Sequence, residues 1–411
     1  VRRLVLAAAL AVALAGAARA ADPVLDRVTS LVAKGRRVDI TVEATLAAPG
    51  EIAVDGTVNS AVVHLTRKAK AGHRVYKLKV DAARFGLRSQ TTGLTFDLVV
   101  AARDAASGAE TQEPVTATVP VPCIVLPGFG NETTPGGFAA FATALNLAAG
   151  GVYTTAGDHP TLVVKEYPST TKSLASLGES LVPVVRKTLR GTVFGKVDVV
   201  GYSYGGIVAR SWMSQGGGQY VRHCVFVATP NEGCPVAYAA VGLSKSGQLD
   251  QFLGQNPALA GLAQQLLSPD AKQALRNLYP TYPWVTPDNF LTRTIVEAAL
   301  GSSSTPLTAL NEVPPPSGAT FDAFFYTSTG AGQLGTVDVV DVSNLNLSGQ
   351  IDPTKLATGS GDGVAPAHSV TMDETPAWSA VIAKHDAGAG THLTITADAN
   401  VLSGVAAVLT Q

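Results

Sequence analysis

The sequence predicts two domains in tandem: a small all-β sandwich over residues 21–119, then an α/β domain over 120–411 with a mostly parallel sheet flanked by helices and a helical cap insertion at about 235–320. Three observations predict this. Before Pro120 apolar and polar residues alternate with period two, the mark of half-buried strands. After Pro122 short apolar runs alternate with helical patterns, which calls for a parallel sheet with right-handed crossovers. Within that second region, the stretch from Lys196 to Ser214 reads as strand, sharp turn and helix.

The chain has 411 residues, 46% of them hydrophobic, enough for two cores. Lys plus Arg (30) nearly balance Asp plus Glu (31), and no dense basic run is expected, so neither a nucleic-acid partner nor a polybasic membrane anchor is indicated. Residues 1–20 read as a secretory signal peptide. Arg2-Arg3 supply the positive start, Leu4 to Ala15 the apolar run, and Ala18-Arg19-Ala20 the cleavage pattern. The apolar run falls short of the ~20 residues a membrane span needs, so no transmembrane anchor is expected in the mature chain. The paired arginines leave twin-arginine export open. Three cysteines, Cys123, Cys224 and Cys234, are too few for a disulfide scaffold and fit no zinc spacing; they are expected as buried, inert thiols.

In the first domain Val38, Ile40, Val42, Ala44 and Leu46 alternate with Asp39, Thr41, Glu43 and Thr45, and the pattern recurs at Tyr76, Leu78, Val80 and at Leu94, Phe96, Leu98, Val100. Asp55-Gly56 and Ser107-Gly108 are expected turns, giving an antiparallel sandwich. No cluster of chemically active side chains marks it, so a structural or surface-attachment module is expected.

In the second domain Cys123 to Leu126 is a buried strand running into Pro127-Gly128-Phe129-Gly130, followed by a helix at Phe138 to Ala148 and a strand at Thr161 to Tyr167. Leu174, Leu177, Leu181, Val184 and Val185 line one helical face, with a kink expected at Pro183. The strand and turn at Ser203, a helix to about Gln215, and a strand at Val221 to Ala228 follow. Leu259, Leu262, Ala263, Leu266 and Leu267 form an amphipathic stripe in the insertion, which could open at a lipid surface or stand as a fixed wall. The sheet resumes at Phe321 to Tyr326, and Val401 to Leu409 is a closing helix.

Gly201-Tyr202-Ser203-Tyr204-Gly205 has the form Gly-x-Ser-x-Gly, in which the glycines free a tight corner from side-chain collision and thrust the serine hydroxyl outward. Ser203 is the candidate nucleophile. A serine needs a base, and the base needs an acid to hold its tautomer. On such a sheet the order is Ser, acid, His. His392, just before the last helix, is the candidate base. His385, in an expected Gly-rich loop, is its rival, while His223 and His368 are placed less well. Asp362, between Gly361 and Gly363, is the candidate acid, with Asp338, Asp341 and Asp352 as rivals. The backbone N–H groups of Phe129 and Tyr204 are the expected oxyanion hole.

Val125-Leu126-Pro127-Gly128-Phe129-Gly130, Gly201 to Gly206, Thr229 to Pro235, Leu278 to Trp284, Gly361 to Pro366, and His392 with Val401-Leu402 together resemble lipases of the α/β-hydrolase superfamily. Within it the chain from Cys123 onward is most similar to the lecithin–cholesterol acyltransferase family and bacterial secreted lipases. The resemblance implies an α/β-hydrolase fold, a triad of Ser203, Asp362 and His392, and an oxyanion hole at Phe129 and Tyr204. It departs where Val364-Ala365 stand for the family's Thr-Val, and where the cysteine-paired loop of the animal acyltransferases is absent between Asn131 and His159. The departures favour hydrolysis over sterol acylation. The expectation is a secreted serine ester hydrolase, a lipase or carboxylesterase, acting on an ester or lipid substrate that can lie at a lipid–water interface. It needs no cofactor and no metal, and its oligomeric state is not indicated. An acyltransferase with the same triad, a peptidase or lactonase on the same fold, and an inactive surface-binding protein remain alternatives.

Overall fold

Alternating strands bury one face each, and in the computed structural model the strands at residues 37–46, 72–81 and 94–104 do so in the first of two compact units, residues 1–119 with 191–193. Described are residues 22–33, 36–130, 138–157, 159–169, 171–235, 277–282, 285–286, 305–330, 336–341 and 356–411. The expected signal segment, the stripe from Leu259 to Leu267, Asn131, Pro283, Trp284 and Asp352 lie outside them, as do the side chains of Asp338 and Asp341.

Among the described residues seven strands build the first unit: β1 (Val24–Ala33), β2 (Arg37–Leu46), β3 (Gly50–Val58), β4 (Ala61–Ala69), β5 (Gly72–Asp81), β6 (Leu94–Asp104) and β7 (Glu110–Val119). They form two antiparallel sheets, β1-β2-β5 and β4-β3-β6-β7. Val38, Ile40, Val42, Ala44 and Leu46 are all buried, as are Tyr76, Leu78, Val80 and Leu94, Phe96, Leu98, Val100. Ser107-Gly108 lies in a turn closed by Gly108 N–H donating to Asp104 O at 2.9 Å. Asp55-Gly56 does not. Both residues lie inside β3, and a Cβ on Gly56 would stand 2.1 Å from Asp97 O. That glycine serves close strand approach, and the chain reverses instead at Asn59-Ser60, where Asn59 takes φ 51°.

The second unit, 120–190 with 194–411, is organised, among the described residues, on six parallel strands in the order β9-β8-β10-β11-β13-β16. These are β8 (Cys123–Leu126), β9 (Leu162–Val164), β10 (Val197–Tyr202), β11 (Val221–Val227), β13 (Thr320–Phe325) and β16 (Ile382–Asp386). Because both faces are covered, successive residues serve opposite cores. Ile124 and Leu126 pack with Leu177 and Val185 of α2 (Leu174–Glu179) and α3 (Leu181–Leu189), and with Ile207, Val208 and Trp212 of α4 (Tyr204–Ser214). Cys123 and Val125 face Phe141 and Leu145 of α1 (Ala139–Ala148) and Val401 and Val405 of α8 (Ala399–Leu409). All three cysteines are buried.

The break between α2 and α3 falls at Ser180, not at Pro183. Proline clashes with the carbonyl four residues earlier, here Glu179, so the first helix stops there and Pro183 sits in the opening turn of the next, where its missing N–H costs nothing. A second sheet, β12-β14-β15, joins β12 (Val285–Thr286), β14 (Thr336–Asp341) and β15 (Leu356–Gly359). The first of these belongs to the insertion, where helices and loops were expected. Short helices α5 (Thr305–Glu312), α6 (Ala367–Thr371) and α7 (Pro376–Ser379) complete the described chain. No helix among the described residues is long and apolar enough to cross a membrane.

Candidate active site

Strand order determines where the reactive groups gather. From β8 the chain moves outward to β9, then returns across β8 to β10 and continues the other way. The loops leaving the carboxyl ends of β8 and β10 therefore diverge and leave a crevice between them, the position where parallel sheets bind ligands. Leu126 pairs with Gly201, so Pro127-Gly128-Phe129 and Tyr202-Ser203-Tyr204 leave the sheet side by side.

Ser203 occupies the corner with φ 51° and ψ −124°, backbone that a residue bearing a Cβ rarely adopts. Its neighbours show why the corner needs glycine. A Cβ on Gly201 would lie 2.5 Å from Gly206 Cα, and one on Gly205 would lie 2.4 Å from Leu126 O. The strand and helix thus pinch together, and Ser203 N–H anchors the corner by donating to Val227 O at 2.9 Å.

His392 Nε2 lies 2.8 Å from Ser203 Oγ, and its Nδ1 lies 2.7 Å from Asp362 Oδ2. An ionised carboxylate can only accept, so Nδ1 carries the proton, Nε2 is an acceptor, and the serine hydroxyl donates to it. Asp362 is buried, and its other oxygen accepts from Val364 N–H at 2.9 Å and Ala365 N–H at 2.7 Å. Gly361, at φ 153°, brings the chain within reach of Thr336, whose Oγ1 accepts from Gly363 N–H at 2.7 Å. The carboxylate is thereby aimed, and His392 N–H also donates to Asp362 O at 2.8 Å.

The rival residues lie elsewhere. His385 is in β16, not in a loop, because it pairs in register opposite Phe324; its ring stacks on Phe324 and its Nε2 lies 2.8 Å from Asp322 Oδ1. His223 bonds Thr320 at the amino end of β11, and His368 lies on α6 beneath the Tyr282 ring.

The two expected oxyanion residues adjoin. Phe129 and Tyr204 meet edge to face with ring centroids 5.7 Å apart, and a Cβ on Gly128 would lie 3.1 Å from the Ser203 Cβ. The loop is fixed from below: Tyr167 OH donates to Pro127 O, and Gly130 N–H donates to Ser169 Oγ at 2.9 Å.

Three supporting residues carry no signal in the sequence. Tyr167 and Ser169 brace the loop as described. Tyr202 donates its hydroxyl to His392 O at 2.8 Å, with its ring 5.2 Å from the imidazole and stacked on Phe138. Burial, and then the charge of Asp362, push its phenol pKa up, so it remains a donor. Its place beside the serine was the only available hint.

Behind the site, Thr229 to Pro235 locks the exit of β11. Arg210 of α4 donates to Asn231 O at 2.9 Å and lies over the Trp378 ring, and Asn231 donates to Val370 O at 2.9 Å. Burial draws the Arg210 pKa down to about 9 while nearby Glu232 opposes the shift, so it is charged at neutral pH. The returning insertion is bound here too: Thr281 N–H donates to Glu232 O at 2.8 Å, and Asn277 donates to Tyr204 OH at 2.9 Å. No group of metal-ligating side chains gathers among the described residues.

No protein-family model matches the chain, and no curated protein matches it in sequence. Among solved structures it is similar to a Bacillus licheniformis lipase in mature form, at 15% identity and TM-score 0.40, over 71% of this chain and 92% of that one. An esterase from Exiguobacterium antarcticum aligns at 10% identity and TM-score 0.38, over 77% of this chain and 96% of that one. A hyperthermophilic esterase from the archaeon Pyrobaculum calidifontis aligns at 12% identity and TM-score 0.33, over 77% and 82%. Similarity at this level says nothing of this chain's reaction.

Proposed function

We propose that the protein is a secreted serine ester hydrolase of α/β-hydrolase type, a lipase or carboxylesterase that cleaves acyl esters through an acyl-enzyme on Ser203. The single observation that carries this is the unbroken hydrogen-bond chain from Ser203 Oγ through His392 to the buried Asp362 carboxylate. A structural serine does not require such a base and acid in line behind it at a strained corner.

In the reaction Ser203 Oγ attacks the acyl carbonyl while His392 Nε2 takes its proton, and Asp362 stabilises the imidazolium. The N–H groups of Phe129 and Tyr204 receive the oxyanion. As the carbon–oxygen bond to the alcohol breaks, His392 returns the proton to the leaving oxygen. Water, deprotonated by the same nitrogen, then releases the acid. The resemblance to bacterial secreted lipases narrows the acyl donor to a lipid ester, and the charged, apolar and Ala-x-Ala pattern of residues 2–20 supports export.

Hydrolysis of p-nitrophenyl esters from short to long acyl chains tests the reading. Ser203→Ala and His392→Gln should each lower kcat by roughly 10⁴-fold or more, whereas His385→Gln should leave it within about twofold, as for a surface substitution away from the reacting atoms. Retention of activity by Ser203→Ala would sink the proposal.

A further inference from the structure

The near-neutral total charge conceals a local imbalance. Between Arg67 and Lys79, across β4, the turn and β5, lie Arg67, Lys68, Lys70, Arg74, Lys77 and Lys79, with no Asp or Glu among them. All six are exposed. Strands β4 and β5 are the outer strands of their respective sheets, and Arg67 Nη1 donates to Lys77 O at 2.8 Å, so the cations share one corner of the first unit.

Carboxylates on neighbouring rungs are engaged by other cations. Asp39, opposite Lys79, accepts from Arg37 at 2.7 Å, and Glu51, opposite Lys68, lies 3.3 Å from Arg103. Asp26 lies 3.2 Å from His73 and accepts from Thr45. Glu43, opposite Val75, is the neighbouring acid without an ion pair among the described residues. None of the six cations enters an ion pair among those residues either.

We infer that this corner is a docking surface for an anionic phospholipid interface. Edge lysines also deter strand-to-strand association, but that role does not account for Lys70, which lies in the turn outside any rung. Lipid is favoured over nucleic acid by the surroundings of the charge. Val75, 54% exposed, stands between Arg74 and Lys77, whereas the neighbouring aromatic ring, Tyr76, is buried and offers no base-stacking face. Clustered cations beside an apolar side chain match a negatively charged headgroup layer over acyl chains. The choice of lipid over other polyanions rests on the ester-hydrolase reading, since an enzyme for lipid esters gains from being held at their surface.

Co-sedimentation of the full chain with vesicles tests this, using Ser203→Ala so that no lipid is consumed and binding is read apart from catalysis. Vesicles of phosphatidylcholine and phosphatidylglycerol in equal parts should bind the protein at about 0.1 M salt and release it near 1 M, where the screening length falls from roughly 10 Å to 3 Å. Phosphatidylcholine alone should bind little. Combining Lys70→Gln, Arg74→Gln and Lys77→Gln should weaken partitioning on the order of 100-fold, with short-ester hydrolysis in the Ser203 background unchanged to show that the fold is intact. Equal binding to both vesicle types, or no loss in the triple variant, would overturn the inference. Tighter binding to duplex DNA than to the anionic vesicles at matched phosphate concentration would also overturn it, in favour of a polyanion site. Because binding is measured without the nucleophile, an inactive wild-type enzyme would leave this result standing, and absent binding would leave the triad standing.

Discussion

Tyr202 is not a member of the proposed triad, yet it determines how the histidine of that triad sits. Its hydroxyl holds the carbonyl of His392 and its ring lies beside the imidazole, so the imidazole is fixed from both backbone and side chain. Replacing Tyr202 by Phe keeps the ring and its stack on Phe138 but leaves a buried carbonyl without its donor, a loss of about 1–3 kcal/mol. Part of that should appear in catalysis as misplacement of the base. Steady-state kinetics on a soluble ester should show kcat falling roughly tenfold with KM little changed. A purely structural role would lower the melting temperature and leave kcat per folded molecule untouched.

Among elements, β10, β11 and α8 are tied by one buried ion pair remote from the reacting atoms. Asp198 of β10 accepts from Arg222 of β11 at 2.8 and 2.6 Å, and Arg222 Nη2 also donates to Leu409 O, closing the carboxyl end of the helix that follows His392. Burial pushes the Asp198 pKa up to about 6 against the pull of Arg222; burial alone would lower that of Arg222, but its bonds to Asp198 raise it. Arg222→Leu should cost about 3–5 kcal/mol at pH 7 in urea denaturation, because an unpaired carboxylate is left buried. A carboxyl with a raised folded pKa is penalised when ionised, so the folded state gains as it takes up a proton. Without Arg222 the folded pKa of Asp198 rises above about 6, so the deficit relative to the unsubstituted protein should shrink as pH falls toward 6 and level off below it, where both proteins hold the proton. Such ties explain what was legible in the sequence. Periodicity exposes the faces of β2, β5 and β6, and sterics expose the Ser203 corner, because both are local. His385 carries no strand signal because its strand, Ile382–Asp386, is short and mostly polar on its open side; only pairing with β13 makes it a strand. Gly56 carried a turn's signature for a tertiary reason, the approach of β6. Tyr167, Ser169 and Tyr202 take their roles from partners distant in sequence, and no local pattern announces that.

At the scale of the whole molecule, the parts proposed for catalysis lie in one compact unit and the proposed docking corner lies in the other. The triad, the loop at Phe129, the Arg210 network and both cores flanking the parallel sheet belong to residues 120–190 and 194–411. A domain of that size buries enough surface to fold by itself, although Gly191–Val193 group with the first unit and would be retained in any shortened chain as a loop. The two activities should therefore separate. A chain beginning at Pro120 should hydrolyse a soluble short-chain ester with kcat/KM within about tenfold of the full protein, since no group that touches the reacting atoms is removed. On vesicles containing an anionic lipid and an ester substrate, the same shortened chain should lose the rate advantage of the full protein, and the advantage should vanish for both chains at high salt. Equal rates on vesicles would mean that the second unit reaches lipid unaided and that the cationic corner contributes nothing to turnover. A shortened chain that folds, judged by circular dichroism, but fails on the soluble ester would mean that the first unit completes the catalytic site.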